Sequence, residues 1–174
     1  MLDVRVGFST TNKWQSRIIR WLTKAPCSHA WLSFYDDTLR MRLVMQAEVW
    51  GYELRPWRRW QHENTLVEQF LFKEGGRELA LPLREVAENL GTKYDFKAAL
   101  WVGIVGWFKR WLKARLTFRP SRTPKKLMCS ESVIRFLNAA GYFLPPHFDP
   151  ELTSPGELLQ YCQASLHLEK VEDK

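Results

Sequence analysis

The stretch Leu127-Met128-Cys129-Ser130-Glu131-Ser132-Val133-Ile134-Arg135-Phe136-Leu137 places a thiol at a structural boundary. A run of Pro, Lys and Arg ends just before it. A helical pattern then begins, with Val133, Ile134, Phe136 and Leu137 apolar and Gly141 placed to stop it. Cys129 is therefore expected at a helix N-terminus. Unpaired backbone N–H groups and the positive end of the helix dipole favour an anion there. Such a position lowers a thiol's pKa and makes the thiolate, which is the nucleophile. It also offers backbone donors for an oxyanion.

A thiolate nucleophile works with a base, and the base with an orienting group. His29 is the candidate base. It opens residues 28–35, a strand by composition that ends at the turn signal Asp36-Asp37. On the following strand, read as 42–50, Gln46 and Glu48 point to one side. Cys27-Ser28-His29 also raises a metal reading, but the other histidines and Cys162 show none of the paired spacing of a zinc site. No metal and no cofactor is expected.

The order of these elements resembles the circularly permuted papain-like proteins of the NlpC-type superfamily. The sequence runs Ser28-His29 on a strand, Gln46 and Glu48 on the next, Tyr94-Asp95, then Cys129-Ser130-Glu131 at a helix start. The YiiX-like group is the nearest in pattern, and lecithin:retinol-acyltransferase-like proteins are more distant. The resemblance extends from Val4 to about Leu159. It implies an α+β fold, a small antiparallel sheet packed against helices with the nucleophile at a helix N-terminus. It makes Cys129 the nucleophile, His29 the base and Glu48 the residue that orients His29, with Gln46 the alternative. Tyr94 and Ser130 become candidates for binding substrate or oxyanion. The implied activity is that of a cysteine amidase or peptidase acting on a peptide-like amide such as a cell-wall peptide. A lipid-directed thiol hydrolase or acyltransferase is the alternative within the enzymes. A non-catalytic module binding a membrane or polyanion is the alternative outside them.

Charge bears on that choice. Nine Lys and Arg fall between Asp95 and Glu131 with no acidic residue, more than the net charge of the whole chain, +7. Trp101, Ile104, Val105, Phe108, Trp111, Leu112 and Leu116 would share one face of a helix over 94–116. Trp107, Lys109, Arg110, Trp111 and Lys113 are the candidate contacts to an anionic membrane or other polyanion. No base-reading motif points to specific nucleic-acid binding.

The length of 174 residues suits one domain. The N-terminus lacks the pattern of a signal peptide, and no apolar run reaches the roughly 20 residues needed to cross a bilayer. Three cysteines without framework spacing suggest reduced thiols and a cytoplasmic setting, although a phage-encoded protein could act elsewhere. Further expected elements are a first strand near 3–9, helices near 13–23 and 83–90, a strand at 66–72, and a helix capped by Ser154-Pro155-Gly156-Glu157. The tail 168–174 is expected to fray.

Overall fold

The computed structural model describes residues 3–48, 50–73, 79–94, 126–142, 144–145 and 148–172. Their strands are β1 (Val4–Thr10), β2 (His29–Asp36), β3 (Met41–Glu48), β4 (Gly51–Pro56), β5 (Thr65–Phe72), β6 (Lys93–Tyr94), β7 (Lys126–Leu127) and β8 (Leu168–Lys170). The helices are α1 (Trp14–Thr23), α2 (Trp57–Glu63), α3 (Ala80–Ala87), α4 (Cys129–Ala139) and α5 (Pro155–Ala164). Six strands form one antiparallel sheet in the order β4-β3-β2-β1-β5-β8, and β6 pairs with β7 in a parallel two-stranded ladder. The fold is α+β, a sheet packed against helices.

Alternation along the strands separates two apolar layers. Val4, Val6, Phe8, Ala30, Leu32, Met45, Ala47, Phe70 and Phe72 join the main core, together with Val133, Ile134, Phe136 and Leu137 of α4. The other face carries a smaller cluster of Trp31, Val44 and Trp60, with Trp57 and Leu66 against it. Its indoles are in mutual contact: Trp31 and Trp60 meet edge-on at 4.7 Å between centroids, and Trp57 stacks on Trp60 at 4.8 Å. Such pairs contribute about 0.5–1.5 kcal/mol each beyond their burial.

Two glycines are required by close approach. Gly7 lies beside Trp31 in the β1–β2 ladder, and a Cβ there would come within 2.1 Å of the indole ring. Gly51 adopts φ +138°, and a Cβ there would stand 2.7 Å from the Thr92 carbonyl. That carbonyl accepts from Tyr52 N–H at 2.8 Å, which holds the 91–94 segment against β4. Through the Lys93↔Lys126 and Tyr94↔Leu127 pairs, β6 then lies beside the residues that lead into α4.

Four elements differ from the sequence expectation. Residues 51–63 form β4 and α2, which the apolar pattern did not announce. The helix expected near 83–90 runs Ala80–Ala87. The tail does not fray at 168–170, where β8 pairs with β5 and buries Leu168 against the core. The open edge of β5 supplies the ladder, and Val171 N–H extends it to the Gln69 carbonyl at 2.9 Å. The expected basic helix over 94–116 lies outside the described residues, as do Trp107, Lys109, Arg110, Trp111 and Lys113. Among the described residues no helix is long and apolar enough to cross a membrane.

Replacing Gly7 with alanine should destabilise the protein by about 1–3 kcal/mol, the usual cost of overpacking a filled interior. Urea unfolding monitored by tryptophan fluorescence measures it. An unchanged midpoint would show that Trp31 does not lie across Gly7.

Candidate active site

Cys129 is the first residue of α4, and it is buried. Several bonds fix this helix start. The Met128 N–H donates to Glu131 Oε2 at 3.3 Å, and Glu131 Oε1 accepts from Arg135 at 2.7 Å. The Ser132 hydroxyl donates to the Cys129 carbonyl at 2.8 Å. The Ser130 hydroxyl donates to the Thr153 carbonyl at 2.6 Å, which ties α4 to the loop before α5. A hydroxyl so engaged and buried is a structural tether; what Ser130 offers the site is its backbone N–H.

His29 begins β2, so its imidazole lies at the rim of the sheet beside the start of α4. It is partly buried. Its ring and the Cys129 sulfur are close enough to act on each other directly, each shifting the other's pKa. On its other side, Nε2 lies 3.1 Å from Gln46 Oε1. Glu48, the expected partner, stands opposite His29 when the β2–β3 register is continued from Leu32↔Met45, and acts on it through charge. The hydrogen-bonded partner is Gln46, its diagonal neighbour on the same face.

Gln46 is fully buried, and its amide can be oriented in only one way. Its Nε2 donates to Glu53 Oε1 at 3.1 Å, and its Oε1 accepts from Trp60 Nε1 at 2.9 Å. A carboxylate only accepts and an indole N–H only donates. Turning the amide over would set donor against donor at Trp60 and acceptor against acceptor at Glu53. Oε1 therefore faces His29, and His29 Nε2 must carry a proton. This leaves Nδ1 for the sulfur. Glu53 is held in turn by Arg55 at 2.6 Å, and Arg55 also pairs with Glu63 at 2.9 Å.

The electrostatics follow from these contacts. Burial opposes the imidazolium, but the hydrogen bond and charge of Cys129, the charge of Glu48 and the Gln46 amide outweigh it and raise His29 to about 9. Burial likewise opposes the Cys129 thiolate. The hydrogen bond and charge of His29, followed by the N–H groups of Ala30 and Ser130, outweigh that effect and hold the thiol below its ordinary value. The two groups therefore favour each other's charged forms. The other thiols behave oppositely: burial, with the nearby Cys129, pushes Cys27 up to about 12, and burial with the nearby Cys27 raises Cys162.

The backbone of Tyr94 lies in β6, paired directly with Leu127, and its side chain lies outside what is described. Trp60, Glu53 and the Ala30 N–H belong to the site and were not anticipated. Glu53 faces Gln46 across the β3–β4 ladder, and Trp57-x-x-Trp60 forms one side of a short helix; both become visible only once β4 and α2 are recognised. Among the described residues, no group of three or more His, Cys, Asp or Glu side chains is placed to hold a metal ion.

No family model and no curated protein matches the chain. A solved structure similar to it is that of the metalloprotein yiiX from Escherichia coli O157:H7. The match spans 100% of this chain and 97% of that one, at 14% identity and a TM-score of 0.48. The chemistry of the present site therefore rests on its own geometry.

Alkylation by iodoacetamide, mapped by peptide mass spectrometry, should modify Cys129 before Cys27 or Cys162. The rate should rise through a pKa below the ordinary thiol value of about 8.5, with a second inflection near 9 where the imidazolium loses its proton. His29→Ala should slow the reaction at neutral pH by a factor on the order of ten or more, because burial is then opposed only by the Ala30 and Ser130 N–H groups. Glu48→Gln removes a negative charge beside His29 and should move the second inflection downward while leaving the neutral rate high. Preferential labelling of Cys27 or Cys162 would contradict the assignment.

Proposed function

We propose that the protein is a cysteine hydrolase that acts on a peptide-like amide through an acyl-enzyme on Cys129. The observation that carries this reading is a single thiol at a helix N-terminus whose pKa is held below its ordinary value by a neighbouring imidazole with a fixed tautomer. The two other thiols have pKa values pushed upward by burial.

In the first step the Cys129 sulfur attacks the amide carbonyl carbon. A C–S bond forms, and the carbonyl π pair moves onto oxygen. The Cys129 backbone N–H, at the start of α4, is the candidate donor to that oxyanion, where the helix dipole also favours negative charge. The His29 imidazolium gives the Nδ1 proton to the leaving nitrogen as the C–N bond breaks. The neutral ring then takes a proton from water, whose oxygen attacks the thioester, and the acid is released with the thiolate restored. Throughout, Nε2–H stays on Gln46, so proton transfer is confined to Nδ1. In this reading the similarity to permuted papain-like proteins of the NlpC type, drawn from the order of the sequence motifs, supports the amide substrate and a cell-wall peptide as its example.

The test is trapping of the intermediate. Incubation with activated acyl esters and with cell-wall peptide fragments, followed by acid quench and intact-mass analysis, should show an acyl adduct on Cys129. Cys129→Ala should abolish it. Turnover should fall on the alkaline side near 9, as the imidazolium acid is lost. If no acyl adduct or turnover appears with any of these donors while iodoacetamide still labels Cys129, the acyl-transfer reading is wrong.

A further inference from the structure

α1 is built the wrong way round for a helix that only packs on a core. An amphipathic helix normally turns its apolar stripe inward. Here the stripe Trp14, Ile18 and Trp21, at i, i+4 and i+7, faces solvent: Trp14 is 62% exposed and Trp21 67%. The buried residues of α1 are Ser16 and Leu22. The exposed indoles are flanked by cations. On the helical wheel Arg17 and Arg20 lie along one side of the stripe, and Lys13 and Lys24 bracket the helix at its two caps. The chain carries no acidic residue between Asp3 and Asp36.

The stripe has a fixed place relative to the site. α1 joins the end of β1 to the start of β2, the end of the sheet where His29 stands. The Ser16 hydroxyl lies 2.6 Å from that of Ser28, the residue before His29, and 2.9 Å from that of Thr10. The turn between β3 and β4 is at the same end and carries Trp50, which is 89% exposed. Of the six described tryptophans, the three exposed ones are all at this end, while Trp31, Trp57 and Trp60 pack together on the sheet.

We propose that the outward face of α1 is a docking surface for an anionic lipid membrane. The charge selects this partner. An isolated apolar stripe would suit a second protein, but a stripe of tryptophans edged by Lys and Arg, on a segment with no carboxylate of its own and with only Glu63 of α2 acting on Lys13, matches the boundary between acyl chains and anionic headgroups. Tryptophan settles at headgroup depth, and the cations meet the negative surface potential. Through Ser16–Ser28 the docked helix holds the end of the sheet that bears His29, with Cys129 of α4 beside it, close to the lipid surface. The inference stands on α1 and does not depend on the acyl-transfer chemistry.

The test uses the full chain and sedimentation with vesicles of phosphatidylcholine alone or mixed with phosphatidylserine, at low and high salt. The wild type should bind the mixed vesicles at low salt, with binding weakened by salt as screening requires. It should leave the neutral vesicles largely unbound. Trp14→Ala/Trp21→Ala and, separately, Arg17→Glu/Lys24→Glu should each weaken binding about tenfold or more, as expected when interfacial anchors or cations are lost. A Lys109→Gln/Arg110→Gln/Lys113→Gln variant serves as comparator for the basic segment. Circular dichroism and thermal midpoints should match the wild type for the charge-reversal variant, whose side chains are at the surface. The proposal is overturned if both α1 variants bind as the wild type does, or if only the comparator loses binding. It is equally overturned if the tryptophan variant lowers the thermal midpoint strongly while the charge variant binds normally, since the indoles are then packed inside the folded protein. Concentration-dependent dimerisation abolished by Trp14→Ala/Trp21→Ala, without selective vesicle binding, would assign the face to a second copy and also overturn it.

Discussion

The carboxamide of Gln46 is the contact on which the site depends. A fully buried amide must satisfy its donors and acceptor within the protein, and an unmet one costs about 1–3 kcal/mol. Here a carboxylate lies at one end and an indole N–H at the other, so the amide cannot turn over. That constraint passes directly to His29 as a requirement for a proton on Nε2. The base that faces Cys129 is therefore decided by residues that do not touch the thiol: Glu53 on β4 and Trp60 on α2. Trp60 is in turn held by Trp31, whose indole occupies the space left by the missing side chain of Gly7.

The same arrangement explains why one thiol among three is activated. Cys27, Cys129 and Cys162 are all buried, and burial raises a thiol's pKa. Cys129 escapes because it meets an imidazolium and the N–H groups of Ala30 and Ser130. Position at the helix start supplies part of the difference and the His29 charge supplies more. The two side chains come from opposite packing roles, a strand end at the rim of the sheet and a helix packed on its main core face. The ladder Tyr94↔Leu127 and the Ser130–Thr153 bond hold the helix start in place from both sides.

The parts that could be read from the sequence are those with local signals. Cys129 followed a proline-rich break and opened a 3.6-residue pattern. His29 opened a strand-like run before a two-aspartate turn, and Ser154 carried capping-box spacing that α5 uses. The choice between Gln46 and Glu48 could not be made, because residues two apart on a strand share a face. The register puts Glu48 straight across from His29, and what favours Gln46 is the indole of Trp60, from a seven-residue helix too short to show a period. β8 was hidden for a related reason. Leu168-Glu169-Lys170 has no strand composition of its own and is a strand because the edge of β5 is open to it.

The most direct test of this account is ¹⁵N NMR of the histidine ring nitrogens, with His29 assigned by substitution and followed as a function of pH. The account predicts that both His29 nitrogens are protonated through neutral pH. The proton should leave Nδ1 near 9, with Nε2 remaining protonated. In Cys129→Ala the titration should fall well below that value, because the thiolate that supports the imidazolium is gone. A His29 that titrates near its ordinary value of about 6.5 in the wild type, or that keeps its neutral-state proton on Nδ1, would contradict it.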